Sequence, residues 1–458
     1  MESRFLLNLS FRPIRHTLFL NRTAWSLIDQ AIVSLGTFLL SITLARNLTS
    51  SEYGVFTLVL TAACIAQLAN FWLSAYPLGI RLASARGEEV ARLSTSSLIV
   101  VAALCVPLSG AIGLTLFAFG RSDLIIACIT WFIMWQLQQA TRRALIADLH
   151  LRAPIIGDAL SYLGPVAVVG LLAKGGITVS ITEAFHCMAG MATLGGIVQA
   201  FQLRITLRGL VPPYRWLLDN MSLGAPSLAA GVVSLIRSQQ VYWMVAALSG
   251  PASAASLVAA VNIFAVLNPI YFSLTNLIPQ VTARAFGTGD RRSAWLAARP
   301  YIMIALPPTI VYVVFAVIFA PLLLWVFYGE GSPYLKLGDL FPYLAVTAIA
   351  TTTTELIISY FFGIRETGPA LKVNLLGMST IAISAPLLFA TMGLLTGASA
   401  AFAVGEVMRL AFTLMYLRRL LAGFRTRRPK AGECQRIIHD SGIRSSVTTR
   451  SSTASAAG

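Results

Sequence analysis

The chain has 458 residues, 57% of them hydrophobic and only 11% charged, against about 25% charged in an average soluble domain. That composition cannot cover a soluble surface, so it excludes a soluble enzyme, a single-pass receptor and a disordered scaffold; unbroken apolar runs exclude a transmembrane β-barrel. Net charge is +16 and mean hydropathy +0.76, and in a membrane chain a basic excess marks loop topology rather than nucleic-acid binding.

After a basic N-terminal stretch (Arg4, Arg12, Arg15, Arg22), hydrophobic runs occupy 24–45, 54–80, 94–119, 123–140, 153–173, 177–203, 222–249, 252–280, 300–328, 340–363, 369–392 and 397–417. Each suits one crossing of a bilayer, which takes about 20 residues, so the fold class is an all-α integral membrane protein with twelve transmembrane helices. Of the 34 Lys and Arg, 28 fall on the side of the two termini and four opposite (Arg46, Arg121, Lys174, Lys336); Arg237 and Arg409 lie within runs. Cytoplasmic segments collect Lys and Arg, which places both ends in the cytoplasm and predicts a multi-pass protein. The expected organisation is a basic N-tail at 1–23, a first lobe at 24–203, a linker at 204–221, a second lobe at 222–420 and a disordered basic tail at 421–458. The five cysteines are widely spaced, and no metal or cofactor motif is visible.

A repeat with an offset near 200 relates the halves: Leu48 to Leu248 and Pro77 to Pro279. Six spans separate them, so the two lobes are parallel, an architecture with the substrate path between lobes near the midplane.

The functional candidates are ionisable groups inside runs. Asp29 lies beside Ser26, Gln30, Ser34, Thr37 and Ser41, whose spacing makes a polar stripe suited to a wet cavity or to helix contact. Arg237 has no acid in its own run, so its compensation comes from another helix or from an anionic substrate; guanidinium suits phosphate. It is the leading substrate-binding candidate, with Asp29 and Gln30. Glu355, behind Thr347 and Thr351 on one face, is an ion- or proton-coupling candidate, as are Glu406 and Asp29. Glu406 and Arg409 are placed to pair along one helix. Asp158 is expected near a helix end, within reach of interfacial water, as are Glu183 and His186. Thr49 and Glu52 read as a capping box. No P-loop, HExxH, CxxC or GxSxG pattern is present, which points away from an enzyme.

The stretch from Ser34 to Gly87, with LAR at 44–46, EYG at 52–54 and IRLASARGEE at 80–89, resembles the start of bacterial polysaccharide transporters, the Wzx-type O-antigen flippases of the multidrug/oligosaccharidyl-lipid/polysaccharide exporter superfamily. LSGPASAASLVAAV and NLIPQVTARAFGTGD, from Leu248 to Asp290, resemble the start of the second lobe. The resemblance implies a V-shaped, alternating-access transporter of the bacterial inner membrane. It would move a polyprenyl-diphosphate-linked oligosaccharide between leaflets, with the lipid bilayer, a polysaccharide polymerase and a chain-length regulator as candidate partners. A cation-coupled multidrug exporter of the same superfamily is the alternative. A membrane glycosyltransferase or polymerase is disfavoured, since the longest outer loop, near 329–339, is too short to house a catalytic site.

Overall fold

The computed structural model describes residues 13–422 except 83, 84, 149, 151, 204, 207 and 289. Residues 1–12 of the expected N-terminal tail and 423–458 of the C-terminal tail lie outside them. The chain divides into two units, Met1–Thr413 and Leu414–Gly458; in the second, the described residues continue the last helix to Ala422.

The first half comprises α1 (Pro13–Asn47), α2 (Ser50–Asn70), α3 (Tyr76–Leu82), α4 (Glu88–Ala118), α5 (Ile125–Ala147), α6 (Pro154–Asp158), α7 (Gly164–Lys174) and α8 (Ile181–Gln202). The second comprises α9 (Pro213–Ser249), α10 (Pro251–Phe264), α11 (Asn268–Thr288), α12 (Arg291–Ile318), α13 (Ala320–Tyr328), α14 (Phe341–Gly363), α15 (Thr367–Met392) and α16 (Leu394–Ala422). No strand occurs among the described residues. Three spans are broken rather than straight: π turns at Phe71–Ala75 and Ala159–Leu163 join α2 to α3 and α6 to α7, and a 3-10 turn at Ala265–Leu267 joins α10 to α11. Such breaks are tolerated at membrane depth where neighbours satisfy the freed backbone.

Eleven of the twelve expected spans coincide with helices long and apolar enough to cross a membrane. The remaining one, expected at 222–249, lies within α9, which has 37 residues and begins inside the expected linker. The expected 300–328 run divides, because the helix stops at Phe319 and restarts as α13. The capping box at Thr49 is formed: its hydroxyl accepts from the Glu52 N–H at 3.3 Å, and the Glu52 carboxylate accepts from the Thr49 N–H at 3.4 Å. Asp290 starts α12 in the same manner, and the Ser293 N–H holds its carboxyl below the usual carboxylate range.

The repeat is visible in side chains. In each half's second span two consecutive aromatic rings meet edge to face: Phe71 with Trp72 at the π turn, and Tyr271 with Phe272 in the first turn and a half of α11, both with centroids 4.8 Å apart. The halves meet where α2 crosses α10. Lipid supplies no hydrophobic drive between helices, so such seams rely on close approach of small residues. Gly54, the glycine of EYG, is one: a Cβ there would fall 1.9 Å from the Pro251 carbonyl oxygen. Nearby, Ser41 and the Tyr53 hydroxyl lie 2.6 Å apart, and the Asn262 amide donates to both, at 2.6 and 3.0 Å. Arg46, on the last turn of α1, donates at 2.6 Å to each of the Val326 and Phe327 carbonyls that end α13.

The Gly54 contact yields a direct test. Gly54→Ala should destabilise the protein by about 1–3 kcal/mol, the usual cost of overpacking. Gly79→Ala, whose new Cβ meets nothing within 4 Å, should not. Thermal unfolding of both variants in one detergent measures the difference.

Candidate functional site

Two buried ionic centres carry most of the charge inside the bundle, one in each half. In the first half Arg142 of α5 reaches Asp29 of α1 through Nη2 at 2.6 Å, and Asp158 at the end of α6 through Nε at 2.5 Å. Asp158 is fully buried and Asp29 only 5% exposed. The remaining oxygen of Asp158 accepts from the side-chain amides of Gln138 at 2.7 Å and Gln199 at 2.9 Å. Asp29 Oδ1, also buried, has no hydrogen-bond partner among the described residues. Two carboxylates therefore share one guanidinium, and the centre is formally short of one positive charge.

In the second half Arg237 of α9 bonds Glu406 of α16 and lies 3.5 Å from Glu355 of α14. Arg409, fully buried one turn beyond Glu406 on α16, donates to Glu406 at 2.9 Å and bonds Glu355 as well. Gly377 of α15 completes the packing, since a Cβ there would sit 3.0 Å from Arg237 Cδ and 3.3 Å from Arg409 Cδ. Two bases meet two acids, so this centre is balanced. Both centres use the first, fourth, fifth and sixth spans of their half.

The structure thus brings Arg237, Glu355, Glu406 and Arg409 into one cluster. Arg237 draws its compensation from α14 and α16 rather than from its own helix. Asp29 joins the other centre. Gln30 donates to Ser34 at 3.3 Å along α1, and Thr37 returns its hydroxyl to the Val33 carbonyl at 2.8 Å; the Ser26 side chain lies outside the description. Asp158 departs from the expectation of an interfacial carboxylate, because Arg142 and the two amides let it be satisfied without water. Glu183 caps α8 with Ser180, whose N–H donates to it at 2.7 Å.

Arg142 escapes a reading based on loop charges, which ends the fourth span at 140 and counts Arg142 as a topological cation. The helix continues to Ala147. The signal available was Gln136, Gln138 and Gln139 within one apolar run, since amides in a bilayer need partners. Arg143, the next residue, is half-buried with its guanidinium 4.2 Å above the Phe71 ring, at the start of the first π turn. No carboxylate lies within 4 Å of it among the described residues. Arg152 is similarly placed 4.7 Å over Trp25.

No family model matches this sequence, and no curated protein matches it. Solved structures do. A multidrug resistance MATE family transporter of the MOP superfamily in an inward-facing conformation superposes with TM-score 0.71 at 19% identity, covering 87% of this chain and 96% of that one. The outward-facing form of such a transporter gives 0.64 at 19% identity over 89% and 96%. A MOP superfamily transporter from Pyrococcus furiosus, described by a binding pocket of reverse polarity that suggests a different function, gives 0.66 at 16% identity over 88% and 95%. The chain has the fold of these transporters.

Removal of Arg237 leaves Glu355 and Glu406 with a single guanidinium. Arg237→Ala should therefore cost about 3–5 kcal/mol, as expected for a broken buried pair, read as lowered thermal stability. Arg237→Ala/Glu355→Ala leaves Arg409 with Glu406 and should recover most of the loss. A double variant no more stable than the single one would contradict the pairing.

Proposed function

We propose that this protein is a cation-coupled exporter of a polyprenyl-diphosphate-linked oligosaccharide, working by alternating access in the bacterial inner membrane with both termini cytoplasmic. A surface-polysaccharide polymerase and its chain-length regulator would consume the product. The observation that carries this reading is Arg143. A half-buried cation with no carboxylate within 4 Å among the described residues is a place for an anion from outside the chain. Its guanidinium carbon lies 4.2 Å from the Phe71 ring centre, a cation–π contact that calls for no carboxylate, and guanidinium binds phosphate in a fork. We place the anion contact at Arg143 rather than at Arg237, whose Nη1 is engaged by Glu406.

Coupling belongs to the first-half centre. A buried excess negative charge costs several kcal/mol unless compensated, so one proton or monovalent cation among Asp29 and Asp158 closes the balance and is released when the site is exposed to the other side. Glu355 and Glu406 are less suited, since each already has a guanidinium.

The same negative centre favours a second reading, a multidrug exporter whose cationic cargo would neutralise it directly. Variants separate the two. Arg143→Ala should abolish surface polysaccharide at matched membrane abundance, and Arg143→Lys, which keeps the charge without the fork, should retain part of it. Normal export by Arg143→Ala, or a polysaccharide-replete null strain that has become sensitive to cationic dyes, would favour the drug reading instead.

A further inference from the structure

A slot of about 320 Å³ lies along the seam between the halves, at the end of the bundle opposite the N-terminus. Its walls are α2 at Val55, Val59 and Ala62, α4 at Ile112 and Leu116, and α9 at Ala246. On α2 it runs from Ser51 to Ala62, about 16 Å of helix, which is the depth of one leaflet in a hydrocarbon core about 30 Å thick. At its deep end the Thr61 hydroxyl donates to Gln239 at 3.2 Å and ties the halves together. These walls offer water too few partners, since a buried water needs two to four and the Thr115 hydroxyl is already committed to the Ala111 carbonyl at 2.8 Å. An unfilled space between helices forfeits van der Waals contact, and lipid chains are the filler at hand. An apolar cavity of about 150 Å³ takes a benzene, so this slot takes about a dozen carbon atoms, most of one acyl chain.

Two polar groups stand at the shallow end. Arg121 forks onto Asp123 through Nε at 3.1 Å and Nη2 at 3.0 Å, which leaves Nη1 for a further acceptor. That pair is neutral overall, matching a headgroup with one phosphate and one ammonium. Trp243 of α9, also on the wall, has a buried indole N–H with no acceptor among the described residues, an arrangement that costs stability until an acceptor arrives. Its ring centre is 6.2 Å from that of Phe119, two residues before Arg121, so both polar groups belong to the same end. We propose that the slot binds one glycerophospholipid of the leaflet opposite the N-terminus, with its phosphate on Arg121, an ester carbonyl on Trp243 Nε1 and one acyl chain along α2. A prenyl chain suits the apolar walls equally but carries no ester, so it leaves Trp243 without its acceptor. Because α2 and α4 come from one half and α9 from the other, the lipid completes the seam. The site is independent of the cargo and of the Arg142 centre.

The test uses the full chain in liposomes of phosphatidylethanolamine and phosphatidylglycerol. A trace of phosphatidylethanolamine carries a photoactivated diazirine midway along one chain, and adducts are mapped by mass spectrometry. Val59, Ile112 and Leu116 are 6%, 5% and 5% exposed, so a chain reaches them only from inside the slot; Val106 of α4, 73% exposed, is the surface control. Adducts are expected at all four. Ala246→Trp, which fills the slot, should remove the three buried adducts and leave that at Val106. An ether-linked phosphatidylethanolamine, which lacks the ester carbonyl, should displace the probe from the slot several-fold less well than the ester lipid. In Trp243→Phe the two should compete equally. The wild-type ester and ether comparison decides alone if Ala246→Trp fails to accumulate. Adducts at Val106 without the buried three overturn the site, and equal competition by ester and ether in the wild type overturns the role of Trp243. Displacement of the probe by polyprenyl phosphate in preference to the ester lipid overturns the proposal in favour of a prenyl occupant.

Discussion

A guanidinium held between two carboxylates inside a membrane span governs the first half of this protein. Arg142 ties α1 and α6 to α5, and without it Asp29 and Asp158 would be buried anions with no guanidinium between them. One base for two acids leaves the centre incomplete. The chain meets part of the deficit with amide donors on Asp158 and leaves Asp29 Oδ1 open. The glutamines of α5 follow from this: an anion that accepts at every lone pair sets the direction of each amide around it.

The second half places a centre on the equivalent helices with a different outcome. There Arg237 and Arg409 match Glu355 and Glu406, and Gly377 permits both guanidinium stems to lie against α15. Two guanidiniums matched to two carboxylates leave no formal deficit, so the two centres differ in charge balance despite their common plan. The paired aromatics at 71–72 and 271–272 show how far the plan is shared. Arg143 shows where it is not, since among the described residues no carboxylate lies within 4 Å of it.

Much of the fold was legible because hydrophobic length and loop charge are one-dimensional properties. Eleven spans and the Thr49 cap follow from them, as does the repeat around Pro77 and Pro279. The Glu406–Arg409 contact was legible for the same reason, being three residues apart on one helix. What was not legible depended on which helices face one another. Arg142 looks like a loop cation until α5 is seen to run on to Ala147, and Asp158 looks interfacial until Arg142 and Gln199 enclose it. Arg237 announced a need for compensation, for which Glu355 was a candidate; that Glu406, 169 residues away, bonds it as well depends on how α9, α14 and α16 pack. Gly54 could be assigned to a motif, yet its reason is the backbone of Pro251 on the other half.

The central claim is that a cation gradient drives an anionic lipid-linked saccharide across the membrane. Purified protein in liposomes loaded on one leaflet with a polyprenyl-diphosphate oligosaccharide tests it most directly, with an impermeant glycan-cleaving enzyme reporting what reaches the other leaflet. The account predicts that an imposed proton or sodium gradient speeds the appearance of cleavable saccharide, and that dissipating the gradient stops the gain. Saccharide that stays put under every gradient, while a cationic dye moves against the same gradient, would contradict it.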